Sequence, residues 1–165
     1  MAEEMKLLEV SLGLATQIFR FITYKEYVEE LKKAGIREVQ FAERLLMLLK
    51  TYNYPSIKVP RIRMFLIELT IWLMTSDENH INFFNDCGMQ TELLNVAETM
   101  SELECFNVFS GNVGLSRHSR ALGTLVDAAL ELINEGLQSR QDNWNSNLPN
   151  KPFVHDIKDM FVTCT

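Results

Sequence analysis

His80 and Cys87 stand seven residues apart, two turns along one face of a helix, and both side chains can bind a soft metal. Two ligands fall short of the four that a structural zinc site takes. His118 and His155 are distant in sequence, and no CxxC pair occurs among Cys87, Cys105 and Cys164. Cys87 is therefore expected in the core and His80 at the surface. Cys105, in SELECFNVF, has no neighbouring base or cation to lower its thiol pKa, so it is expected to be buried rather than nucleophilic. Acid–base catalysis needs two carboxylates in divergent environments. The acids Asp77, Glu78, Asp86, Glu92, Glu98, Glu102 and Glu104 all fall at positions that look solvated. There is no P-loop, GxGxxG, HExxH or GxSxG. The chain is thus expected to be no enzyme, with no metal, no cofactor and no small-molecule substrate.

The segment YPSIKVPRIR gathers Lys58, Arg61 and Arg63 at the start of a helix, where positive charge opposes the helix dipole. That placement becomes favourable if an anion, an acidic partner or the chain's own acidic region lies close. Charge along the chain is uneven within a net −6: residues 16–75 hold ten bases and six acids, whereas residues 76–115 hold seven acids and no Lys or Arg. Nucleic acid is not the expected partner, because the whole is acidic and the cationic cluster small. Ser119 in SRHSR follows basic residues as a kinase substrate would, while Ser116 serves as a helix cap. Met64, Met74 and Met100 lie on apolar helix faces and fill the core.

Helical periodicity positions all of these residues, and no hairpin dipeptide interrupts it. The spacing predicts helices over about 3–21, 25–34, 37–52, 61–74, 77–87, 90–104, 116–134 and 152–162. In the first, Leu7, Leu8, Leu12, Leu14 and Ile18 supply the apolar positions. Gly35, Gly88 and Gly136 are expected to end the second, fifth and seventh, the first two as left-handed caps. The third has an apolar face wide enough to be covered on both flanks, and the fourth, apolar nearly all round, belongs in the middle of the structure. GLQSRQDNWNSNLPNKP is expected to be irregular, and Phe153, Ile157 and Phe161 to form an amphipathic segment that docks back on the body.

At 165 residues with 47% apolar side chains, the chain can bury one sizeable core. The division expected is 1–142 for the helical domain and 143–165 for a polar linker with its short C-terminal helix. The stretch Met64 to Met74, broken by Glu68 and Thr70, is too short to cross a bilayer. An acidic start (MAEEMKLLEV) is unlike a secretory leader. Three widely spaced cysteines fit a reducing compartment, so a cytosolic or nuclear location is expected.

Laying Gly35 over Gly88, an interval of 53 residues, reveals an internal correspondence. Tyr27, Val28, Leu31 and Ala34 then fall on His80, Ile81, Phe84 and Cys87, while Leu12, Ile18 and Phe19 fall on Phe65, Ile71 and Trp72. One such unit cannot bury its apolar faces alone, so units would stack. At the glycine junctions, YVEELKKAGIREV and HINFFNDCGMQTEL, the chain resembles the armadillo repeat family over about residues 5–136. IELTIWLM and GLSRH are also similar to the C-terminal part of plant armadillo-type proteins of undefined role.

The resemblance implies an all-α, armadillo-like right-handed α-solenoid of two to three repeats with a C-terminal docking helix. It also implies a concave groove lined by the third helix of each unit. Arg37, Gln40 and Arg44 would line the first part and Thr91, Asn95, Glu98 and Glu102 the second, a passage from basic to acidic. Lys58, Arg61 and Arg63 join them as candidate partner-binding residues. The expected function is protein–protein interaction, with a basic protein or peptide segment received by the acidic half. The alternative is a structural capping piece of a longer solenoid, and an enzyme with a novel site stands third. Two departures from the family matter. The 53-residue interval is longer than its usual repeat, and the Trp and Asn array of nuclear-import receptors is missing, since Trp72 and Trp144 lie elsewhere and only Asn95 can stand for the Asn.

Overall fold

The computed structural model describes residues 2–100 and 121–147, and all regular structure among them is helical: α1 (Ala2–Phe19), α2 (Tyr24–Lys33), α3 (Glu38–Thr51), α4 (Ile62–Ser76), α5 (Glu78–Asp86), α6 (Met89–Glu98) and α7 (Leu122–Asn147). The expectations for Cys105, Ser116, His118, Ser119, His155, Cys164, Glu102 and the 152–162 segment lie outside the described residues.

Local chemistry sets most boundaries. Thr23 opens α2 with a reciprocal cap: its backbone N–H donates to Glu26 Oε2 (2.7 Å) while its Oγ1 accepts from the Glu26 N–H. Asp77 opens α5 by accepting from the Asn79 N–H at 2.9 Å. Gly35 and Gly88 follow α2 and α5 at φ 71° and 84°, the left-handed geometry that glycine adopts without Cβ strain. Gly136 does not end a helix. α7 runs through it to Asn147, across the segment expected to be irregular and across the expected boundary at residue 142. A Cβ on Gly136 would lie 2.4 Å from Ile81 Cγ2, so this glycine is there for close approach of α7 to α5.

α4 is the centre. It buries Ile62, Leu66, Ile67, Leu69, Leu73 and Met74, and is flanked by α1, α3, α5 and α7, as its all-round apolar character predicts. α1 lies along it through Leu8, Leu12 and Phe19, with Gly13 close against the Phe65 ring. Leu7, Leu14 and Ile18, expected to share that face, are instead exposed. α3 likewise keeps an open outer face, with Val39 and Met47 about half exposed.

Two pairs of residues that stand 53 apart meet in space. The rings of Phe19 and Trp72 lie 4.7 Å apart, and the Tyr24 hydroxyl donates to Asp77 Oδ2 at 3.0 Å. Tyr27 and His80, matched in sequence, are both buried. His80 is 6% exposed, contrary to the surface position expected for a histidine, because α5 turns that face toward the Tyr24 ring, 6.0 Å away.

Candidate functional site

α3 and α6 touch, although each packs more extensively on another helix, α3 on α4 and α6 on α7. On α3 the buried set Ala42, Leu45, Leu46 and Leu49 occupies one side, so Arg37, Gln40 and Arg44 emerge on the other, all exposed. On α6 the buried set Met89, Leu93 and Val96 leaves Thr91 and Glu98 exposed and Asn95 half-buried on the outer face, beside Leu94. The candidate residues thus fall on the solvent sides of two adjacent helices, with two guanidinium-bearing residues on one and a carboxylate on the other. Gln40 has a structural task as well: its Oε1 accepts from the Arg37 backbone N–H at 2.9 Å and closes the start of α3.

Arg63 is not part of a surface cluster. It is 1% exposed, and its fork donates to backbone and hydroxyl groups. Nη1 donates to the Asn53 carbonyl (2.7 Å) and to Thr99 Oγ1 (3.0 Å), while Nη2 donates to the Thr99 carbonyl (3.2 Å). Asn53 follows the last turn of α3, and Thr99 is the C-cap of α6. Carbonyls at helix C-termini lack partners and carry the negative end of the dipole, so a buried cation is stabilised between two of them. Thr99 Oγ1 stands 3.0 Å from the same Asn53 carbonyl, and Asn53 Nδ2 donates to Glu92 Oε2 at 3.1 Å. Arg63 is therefore a positioning residue: it fixes how the faces of α3 and α6 lie relative to each other. Lys58 and Arg61 do stay exposed, and the Arg61 backbone N–H anchors the loop to α1 through Glu9 Oε1 at 2.7 Å.

A second polar cluster has no precursor in the sequence reading. The Tyr24 hydroxyl is shared between Glu38 and Asp77, with His80 beside them. Burial, then the bonds to the two carboxylates, push the phenol pKa far above its usual value, so it stays a donor. The Asn79 N–H holds the Asp77 carboxyl below the usual carboxylate range, and burial holds His80 below the ordinary imidazole value. These groups lock α2 against the starts of α3 and α5. Only the 53-residue register, which lays Tyr24 on Asp77, hints at it in sequence.

Cys87 is half-buried and packs on the core as expected. Among the described residues no group of three or more His, Cys, Asp or Glu is arranged to hold a metal, and no helix is long and apolar enough to cross a membrane. Compared with protein-family models, curated proteins and solved structures, the chain matches none.

Proposed function

We propose that this chain is a non-enzymatic protein-interaction module of the armadillo-like solenoid kind, which holds an extended partner segment across the outer faces of α3 and α6. One observation carries the reading. Arg37 and Arg44 on α3 and Glu98 on α6 present opposite charges on adjacent helices whose relative position is set by a buried arginine. A segment crossing both faces would meet cations first and a carboxylate second, with Thr91 and Asn95 as hydrogen-bonding groups for its backbone. A lysine or arginine of the partner belongs over Glu98, and an acidic residue over Arg37 and Arg44. The stacking implied by armadillo resemblance is supported by the contacts between residues 53 apart, Phe19 with Trp72 and Tyr24 with Asp77. Under this reading the protein works in the cytosol or nucleus, where its thiols stay reduced.

The test is affinity capture from cell extract, with wild type compared to Glu98→Lys and to Arg37→Glu/Arg44→Glu, and bound proteins identified by mass spectrometry. Both variants change exposed side chains, so folding should be retained. The reading requires proteins captured by wild type and lost from both variants. Identical capture by all three forms would sink it.

A further inference from the structure

Among the described helices, α2 alone runs closely along no neighbour. Tyr27 is its one buried side chain, with Tyr24, Val28 and Leu31 partly covered. The Tyr27 ring stands against Phe19, Phe41 and Trp72, with centroids 5.5, 5.8 and 5.2 Å away. One turn earlier, Tyr24 donates its hydroxyl to Glu38 at the start of α3 and to Asp77 at the start of α5. Non-helical residues lie at both ends of α2: 20–23 before it, and Gly35, at φ 71°, after it. A helix with so few buried side chains, set between two such joints, belongs to the part of a fold that opens at least cost.

Polar atoms lie dry at this contact. His80 of α5 is buried, edge-on to the Tyr24 ring. Among the described residues neither His80 Nδ1 nor Tyr27 Oη has a hydrogen-bond partner. A buried polar atom without a partner forfeits the bonds it would make to water, so both atoms favour a state in which α2 lifts. The two carboxylate bonds of Tyr24 oppose lifting. The charges that act on His80 are Asp77, which caps its own helix, and Glu38 from α3. On the other helices packed against α5, Arg63 of α4 is held by Asn53 and Thr99, Glu68 of α4 by Arg20, Glu92 of α6 by Asn53 and Arg140 of α7 by Asp86; the remaining charged side chains of α3, α4, α6 and α7 are exposed. Burial outweighs the two carboxylates and holds the imidazole below its ordinary value. Lifting α2 returns His80 to water and to a pKa near 6.5, so the lifted state takes up the proton first. As pH falls below that value, lifting gains up to about tenfold per unit until the docked pKa is reached.

We propose that α2 is a pH-gated flap, latched on α3 and α5 by the Tyr24 hydroxyl while His80 is neutral and lifted about its two ends when His80 takes up a proton. Lifting uncovers the rings of Phe19, Phe41 and Trp72, which Tyr27 covers in the docked form.

The experiment is native-state hydrogen exchange of the full chain at about pH 7.5 and about pH 5.5, one unit either side of the ordinary imidazole value, with rates corrected for the intrinsic pH dependence of amide exchange. In wild type, α2 amides should exchange faster than those of α4 at both pH values, and their protection should fall by up to about tenfold at the lower one. His80→Gln has no imidazole to charge, so its α2 protection should be the same at both. Tyr24→Phe keeps the ring and the imidazole but loses both carboxylate bonds. It should start about tenfold less protected in α2 and retain the pH response. An α2 protected as well as α4 overturns the flap, because opening would then be unfolding of the whole domain. A pH response that is absent from wild type, equal in His80→Gln, or lost from both variants overturns the gate.

Discussion

Arg63 Nη2 donates to the carbonyl oxygen of Thr99 at 3.2 Å, joining the first turn of the central helix to the cap of α6. The same guanidinium closes the end of α3 through Asn53, so one side chain ties three helices. Arg63→Ala removes the arginine donor from the Asn53 and Thr99 carbonyls, of which Asn53 keeps the Thr99 hydroxyl, and leaves an empty channel where the aliphatic stem lay. It should lower unfolding stability by about 3 kcal/mol. Arg63→Lys keeps the charge but not the fork, and should recover only part of that. Urea unfolding of the three forms checks this, and equal stabilities for wild type and Arg63→Ala would refute it.

Gly136→Ala sets two effects against each other. An alanine in mid-helix is worth roughly 1 kcal/mol over glycine. Its Cβ, however, would lie 2.4 Å from Ile81 Cγ2, a contact that real atoms do not make, so either the Ile81 side chain or α7 itself must shift. Overpacking of this kind costs about 1–3 kcal/mol, and the net change should be destabilising. Gly136→Ala combined with Ile81→Ala should be less destabilised than the sum of the two single changes, because the second removes the obstacle. Thermal melts of the four forms complete the cycle, and a stabilised single variant would contradict the geometry.

Gly35 and Gly88 should respond alike. Both hold positive φ, and no atom lies within 4 Å of a built Cβ at either, so the backbone alone sets the cost. Alanine at each should cost about 1 kcal/mol and asparagine less, since asparagine tolerates the left-handed region better. A loss several times larger at one glycine than at the other in chemical unfolding would show that the two caps are not equivalent.

These sites show where sequence was sufficient and where it was not. The helices, the central place of α4 and the two left-handed glycines were legible because apolar period and Gly are local signals. The faces of α1 were not. Periodicity records that Leu7, Leu8, Leu12 and Leu14 recur at helical spacing, but it does not say which of two apolar sides meets the core. Arg63 was expected beside Lys58 and Arg61 in a cationic cluster that an anion, an acidic partner or the chain's own acidic region would favour, whereas the carbonyls that make its burial tolerable come from residues 10 and 36 positions away. Gly136 looked like a stop because glycine serves both as a cap and as a gap, and only the position of Ile81 decides between them. Within the candidate site, the exposed rows Arg37–Arg44 and Thr91–Glu98 followed from helix geometry. The bond network that sets them side by side did not.

His80 supplies a pH dependence whose sign can be worked out. Burial holds its imidazole below the ordinary 6.5, with the nearby Asp77 and Glu38 carboxylates opposing only in part. As pH falls through 6.5 the unfolded chain protonates this histidine while the folded chain resists. The unfolded state then binds more protons, and stability falls, by at most about 1.4 kcal/mol per pH unit, until the folded pKa is reached. Asp77 acts in a lower window. Its carboxyl is held below 3.8 in the fold, so its contribution is present above that value and is lost as pH falls through the folded pKa. Replacing His80 with glutamine should therefore flatten the stability profile between neutral pH and the region below 6.5, and leave the acid limb near the carboxylate range in place. His118 and His155 are present in both forms, so the difference between wild type and His80→Gln isolates the contribution of His80. Urea unfolding at successive pH values measures that difference, and parallel profiles would mean that His80 is as free to protonate in the fold as out of it.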